Sequence, residues 1–215
     1  GIEKWSRIPV QVELSHEFRY RDPIVTKNTL IVAISQSGET MDTLMAVRYA
    51  KELGAKVLAI CNTQGATLAR ESDAVIYTHA GPEVAVASTK ALTAQITAGY
   101  LLGLFLASIR GAVPAAELKR VGLDLLKMPG RVSQVIAGLE QAERLGTAMA
   151  DAKSVLFLGR NVGFPVAMEG ALKLKELAYI HAEGFAAGEL KHGPIALIEE
   201  GQPVIVIVPS PRDAD

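Results

Sequence analysis

Leu30-Ile-Val-Ala-Ile-Ser-Gln-Ser-Gly-Glu-Thr40 is the stretch from which the fold of this chain is read. Its first five residues are apolar and mostly branched, the pattern of a buried strand. Small hydroxyl and amide residues follow, and an amphipathic segment then runs from Met41 to Leu53. Strand, polar turn and helix N-terminus in that order make one βα unit. A helix N-terminus leaves backbone N–H groups unpaired and carries positive partial charge. Ser35, Gln36, Ser37 and Thr40 surround that end with hydrogen-bonding side chains, a combination suited to a phosphate. No lysine follows Gly38, so the nucleotide P-loop pattern is absent and the phosphate of a small metabolite is expected. The plainer alternative is that Ser37 or Thr40 caps the helix, although one hydroxyl suffices for a cap.

Working outward, Thr29–Ser35, Lys56–Cys61 and Ala74–Thr78 read as strands, and Met41–Leu53 and Ser88–Arg110 as helices. Ala66–Ser72 is a short helical or loop segment, and Val10–Leu14 alternates like a further strand. Near-continuous apolar strands alternating with helices predict the α/β class, a doubly wound parallel sheet with helices on both faces. Residues 111–117 form a break. Helices are expected at Ala115–Lys127 and Arg131–Ala150, divided by Pro129-Gly130. The alternation then restarts with strand Ser154–Leu158, turn Gly159–Gly163, helix Pro165–Ile180 and strand Pro203–Pro209. The expected organisation is a nearly complete first module with a linker helix over 1–140 and the N-terminal part of a second over 141–215. One strand pair is too small to close the second module's core, so the chain reads as cut short. Ligands of such sheets bind beyond the carboxyl ends of the strands, which picks out the turns at 35–40, 79–88 and 159–164. Ser88 either caps its helix or walls a sugar site.

Composition narrows the function. Among 215 residues 49% are apolar, which supplies a sizeable core and argues against disorder. The net charge of −1 and 5% aromatic content argue against nucleic acid and membrane surfaces as partners. The single cysteine, Cys61, reads as a small buried hydrophobe and suits a reducing, cytoplasmic setting. His16, His79, His181 and His192 are scattered without metal-ligand spacing, so no metal is expected. The first fifteen residues lack the apolar core of a leader. The apolar run Ile96–Ile109 is shorter than a membrane span and reads as a buried core helix.

Helix Pro165–Ile180 is the strongest catalytic candidate. Glu169, Lys173, Glu176 and Ile180 recur at helical spacing and share one face, while Ala171, Leu174 and Ala178 can pack on the sheet. A solvated Glu169–Lys173 ion pair is the bland account, and such pairs are common. The polar, glycine-rich stretch 181–194 that follows, with its two histidines, reads as a long functional loop. Carboxylate, ammonium and imidazole are the groups needed to move a proton between adjacent carbons of a sugar. No Gly-x-Ser-x-Gly or Gly-x-Gly-x-x-Gly occurs, against a serine hydrolase or a dinucleotide enzyme.

Ser35–Thr40, Glu83-Val-Ala-Val-Ala-Ser-Thr-Lys90 and Glu169-Gly-Ala-Leu-Lys-Leu-Lys-Glu176, followed by His181-Ala-Glu and Gly188-Glu-Leu-Lys-His-Gly-Pro194, resemble the glutamine–fructose-6-phosphate aminotransferases. The likeness covers nearly the whole chain and lies in the isomerase half of that family, built from two sugar-isomerase (SIS) modules. It implies a three-layer SIS-type fold and no cofactor. Ser35, Gln36, Ser37 and Thr40 would hold the phosphate of fructose 6-phosphate or glucosamine 6-phosphate, and Val86 and Ser88 would line the sugar. Glu176 would move the proton between C1 and C2 with help from Lys173. His192 would assist ring opening in the site of a neighbouring subunit of a homodimer. The family's glutaminase domain, an earlier Gly-Thr-Ser-type turn and a tail lysine are not in this stretch, so an internal fragment is expected. A different SIS phosphosugar isomerase or deaminase, or a non-catalytic phosphosugar sensor, are the alternatives. The Lys173/Glu176/His192 set argues for an enzyme.

Overall fold

The computed structural model describes residues 1–209. The final six residues of the expected second module, 210–215, lie outside the described residues. The chain divides into two compact units, Gly1–Pro129 and a second beginning at Gly130.

The first unit opens with two short helices, α1 (Ile2–Ser6) and α2 (Ser15–Phe18). There follow β1 (Leu30–Ser35), α3 (Met41–Glu52), β2 (Lys56–Cys61), α4 (Thr67–Glu71), β3 (Ala74–Tyr77), α5 (Lys90–Arg110) and α6 (Ala115–Leu126). The strands form a parallel sheet in the order β1-β2-β3, with Ser35 opposite Cys61 and Cys61 opposite Tyr77. Ala33, Leu44, Val47, Val57, Ala59 and Leu68 make the core between sheet and helices.

Gly38 makes the first turn possible. Its φ is +69°, and a Cβ there would lie 2.6 Å from Ala66 Cβ and 2.7 Å from Cys61 Sγ. Only glycine satisfies both the left-handed backbone and the close approach. Cys61 is fully buried, as expected, and burial pushes its thiol pKa up.

Two expectations in this unit fail. Val10–Leu14 is not a strand, and Val12 is 92% exposed. Alternation alone cannot make a strand without a sheet edge to complete its hydrogen bonds. Helix α5 is not a buried core helix either. Ala91, Ala98, Leu102, Gly103 and Ala107 are buried, Gly103 against Trp5, but Ile96, Leu101, Phe105 and Ile109 are more than half exposed. Among the described residues it is the one helix long and apolar enough, by length and composition, to cross a membrane.

Beyond α6 come α7 (Met128–Ala137) and α8 (Glu140–Ala148). Pro129 and Gly130 sit in the first turn of α7 rather than dividing two helices. Proline is tolerated there because first-turn N–H groups have no helical partner. Lys127 separates α6 from α7, and a further break at Gly138 and Leu139 divides the segment expected as a single helix over Arg131–Ala150.

The second unit continues with β4 (Ser154–Gly159), α9 (Gly163–Ala178), β5 (His181–Ala186), two 3₁₀ turns over Ala187–His192 and Pro194–Leu197, and β6 (Val204–Ile207). The parallel sheet has the order β5-β4-β6, so it holds one strand more than the sequence predicts. The extra strand is β5, in the stretch read as loop. Its inward positions are very small: Ala182 is fully buried, and a Cβ on Gly184 would lie 2.7 Å from Met168 Cα of α9. Small residues carry little strand signal, and pairing along the whole of β4 supplies what local propensity lacks. Val155, Phe157, Ala167, Ala171 and Ala182 form the core, with Leu174 against it, whereas Ala178 is exposed.

Candidate active site

In the first unit β1, β2 and β3 end side by side, so Gln36, Asn62 and Thr78 leave the sheet as neighbours. A cleft of about 510 Å³ opens at this carboxyl edge, lined by residues that include Gln36, Asn62, Thr63, His79, Gly81 and Glu83. Ser35 is buried, and its Oγ accepts the Gly38 N–H at 3.0 Å; Ser37 Oγ accepts the Glu39 N–H at 3.2 Å. These bonds shape the turn, and an accepting hydroxyl still has an O–H to donate.

Thr40 stands at the N-cap position of α3 but makes no side-chain capping bond. The plainer alternative, a simple helix cap, is therefore not what this turn contains. Two neighbouring N-termini are occupied instead. The Glu39 carboxylate accepts the Thr67 N–H at 2.8 Å at the start of α4, and that bond holds its pKa below the usual carboxylate value. Glu83 Oε2 accepts the Ala91 N–H at 3.0 Å in the first turn of α5. Carboxylates of the chain thus close α4 and α5, while no side chain caps α3, the helix beside the hydroxyl-rich turn.

Val86 and Ser88 lie on the connection into α5. Val86 is 95% exposed, Ser88 is half-buried, and neither is among the residues lining the cleft. Helix α5 starts at Lys90 with Thr89 at its N-cap position, so Ser88 does not cap it.

In the second unit Lys173 Nζ lies 2.6 Å from Glu176 Oε2 and 3.4 Å from Glu169 Oε1. The three side chains keep only 22–32% of their surface exposed, so this is not a fully solvated pair. The Glu176 hydrogen bond, aided by the charge of Glu169, raises the Lys173 pKa above its ordinary value. His192 sits on the 3₁₀ turn after β5, is 64% exposed, and pairs its Nδ1 with Glu189 Oε2 at 3.1 Å. Parallel strands joined by a helix require α9 to run back along the sheet. Gly163 accordingly packs against Ile207 at the carboxyl edge, and Glu176 lies about 20 Å further along the helix axis at 1.5 Å per residue. Glu176 and Lys173 therefore stand toward the opposite edge of this sheet from the turn bearing His192. Within the unit the pair comes together and the histidine does not join it. Among the described residues no cluster of ligating side chains could hold a metal ion.

The sequence matches the SIS domain over residues 1–104 and 148–215. The chain belongs to the SIS domain family. Relatives of this SIS chain include proteins named glutamine–fructose-6-phosphate aminotransferase [isomerizing]. That from Corynebacterium glutamicum is 71% identical over the whole chain, and that from Corynebacterium efficiens 70%. The chain spans about a third of the length of these curated relatives, 34% in each case. Among solved structures, the C-terminal domain of glucosamine-fructose-6-phosphate aminotransferase from Francisella tularensis superposes with a TM-score of 0.96 at 39% identity, covering 100% of this chain and 61% of that one.

Asn62 is a cleft residue that the sequence pattern did not single out, whereas Glu39 and His79 fall within the turns at 35–40 and 79–88 that it picked out, without a role assigned to either. Asn62 was within reach, because it is the first residue beyond the carboxyl end of β2. The roles of Glu39 and Glu83 carried no signal, since a carboxylate's helix partner is set by folding.

Proposed function

We propose that this SIS chain is part of the isomerase half of a glutamine–fructose-6-phosphate aminotransferase. The whole protein would convert fructose 6-phosphate and glutamine to glucosamine 6-phosphate and glutamate. The observation that carries the reading is the half-shielded Lys173–Glu176 pair at 2.6 Å. A phosphosugar sensor needs only the anion site at the Ser35–Thr40 turn; a carboxylate beside an ammonium is equipment for proton transfer. Ser35, Gln36, Ser37 and Thr40 with the start of α3 hold the sugar phosphate, and Val86 and Ser88 border the sugar. Glu176 takes a proton from C1 and returns it at C2. Lys173 holds that carboxylate in place through its 2.6 Å hydrogen bond and offers positive charge to the oxygen on which charge develops. His192 assists ring opening from a neighbouring subunit of a homodimer, which fits its separation from Glu176 within one unit. The glutaminase domain of the same protein supplies the nitrogen, and the location is cytoplasmic.

The test uses the full-length gene product. It binds fructose 6-phosphate, and fructose at least about tenfold more weakly. Ser37→Ala with Thr40→Ala removes two donors to a charged group, each worth about 1.5–3 kcal/mol. Calorimetry that finds fructose bound as well as fructose 6-phosphate, or the double variant unchanged, rejects the phosphate site. Glucosamine 6-phosphate formation that stays undetectable with glutamine rejects the enzyme.

A further inference from the structure

Asn62 links both walls of the cleft. Its backbone N–H donates to the Gln36 carbonyl at 3.2 Å, on the hydroxyl-rich turn. Its side chain turns the other way and saturates one loop. Nδ2 donates to the Gly81 carbonyl at 2.8 Å, while Oδ1 accepts the Thr78 hydroxyl and the Ala80 N–H, each at 2.9 Å. That loop needs holding. His79 is left-handed at φ 53°, a conformation that a non-glycine residue keeps only where its surroundings impose it, while Gly81 takes its φ of 72° freely. The loop also carries Glu83, which fastens the far end of the connection to Ala91 of α5. Between these two anchor points lie Val86 and Ser88.

From this arrangement we infer that Asn62 is a positioning residue: it sets the distance between the Gln36 turn and the 78–83 loop, and so the width of the sugar-phosphate cleft. The inference rests on the proposed function above, since it assigns Asn62 to the same site. Asn62 needs no contact with substrate for this. One amide side chain carries a donor and an acceptor pointing in fixed directions, and the loop uses both. Aspartate can replace the acceptor only, and alanine neither.

The experiment is steady-state kinetics on the full-length protein with fructose 6-phosphate and glutamine, for wild type, Asn62→Ala and Asn62→Asp. Glutaminase turnover without sugar and the thermal unfolding midpoint are measured alongside. Loss of the loop's anchor raises KM for fructose 6-phosphate about tenfold or more in Asn62→Ala, with kcat within about threefold, because the reacting groups on α9 are untouched. Asn62→Asp falls between alanine and wild type. Glutaminase turnover stays at the wild-type rate in both. A KM within about twofold of wild type in Asn62→Ala overturns the inference, as does an aspartate variant weaker than alanine. Should Asn62→Ala not fold, wild-type hydrogen exchange decides: the Ala80 amide is expected to be protected at least about a hundredfold, and exchange at the rate of an open chain refutes the anchor. A wild type that neither binds nor converts fructose 6-phosphate rejects the proposed function itself, an outcome distinct from a competent wild type with an indifferent Asn62.

Discussion

Replacing Gly38 by alanine tests whether the Ser35–Thr40 turn is held by close packing or by backbone freedom alone. The structure separates two costs. At φ +69° an L-residue adopts the left-handed region at about 1–2 kcal/mol. The added methyl also meets Ala66 Cβ at 2.6 Å and Cys61 Sγ at 2.7 Å, both on short side chains that cannot swing away. Overpacking of this kind costs about 1–3 kcal/mol. The sum is about 2–5 kcal/mol. Gly65 supplies the control: its φ is +72°, and nothing lies within 4 Å of the place a methyl would take there, so Gly65→Ala incurs only the backbone cost of about 1–2 kcal/mol. Denaturant unfolding of both variants in the full-length protein, followed by tryptophan emission, gives the comparison. Binding of fructose 6-phosphate is measured on each. Gly38→Ala is expected to be the less stable by about 1–3 kcal/mol and to bind more weakly, because the turn must shift to admit the methyl. Equal stability of the two variants would refute the packing argument, and unchanged binding by Gly38→Ala would separate this turn from the phosphate site.

Glu176→Gln is expected to lower turnover about 10²–10⁴-fold with sugar binding nearly intact, while Glu169→Gln costs little; equal loss in both variants means that the two carboxylates do not divide the work in this way. The Glu176 hydrogen bond stabilises the charged form of Lys173, so its contribution to stability is complete below its ordinary value of 10.5 and lost as pH rises through its higher folded value. Lys173→Met should therefore be less stable by under about 1 kcal/mol at neutral pH, and a pH series of unfolding midpoints should show the gap closing at the alkaline end. Glu39 behaves oppositely: its folded pKa is depressed, so its contribution is present above its ordinary 4.5 and lost as pH falls through the lower folded value. Glu39→Gln still accepts the Thr67 N–H, and the acid limb of its stability curve should be flatter than that of wild type. Mixing His192→Ala with Glu176→Gln should restore part of the synthase activity if the histidine serves a neighbouring subunit; no recovery on subunit exchange counts against that role.

What the sequence determined by itself was everything carried by short-range periodicity. The branched runs Leu30–Ile34 and Val57–Ile60 specify strands, and Met41–Leu53 and Pro165–Ile180 read as helices, observed at Met41–Glu52 and Gly163–Ala178, because periodicity and local propensity agree there. Strand β2 is buried as expected, whereas β1 leaves Leu30 and Ile34 about half exposed. The helical spacing of Glu169, Lys173 and Glu176 likewise fixed their common face independently of packing. Tertiary structure decided the rest. Strand β5 exists because β4 offers a full edge and α9 leaves room only for Ala182 and Gly184, facts that no local scale contains. Val10–Leu14 has the alternation and no edge, so it stays irregular. The Lys173 ammonium lies nearer Glu176 than Glu169, a choice among rotamers that spacing leaves open. The anchoring of the cleft by Asn62, and the closing of α4 and α5 by Glu39 and Glu83, join residues 8 to 28 positions apart. A hydrogen bond has a short reach and a strict direction, so such partners are settled only when the folded chain brings donor and acceptor within about 3 Å.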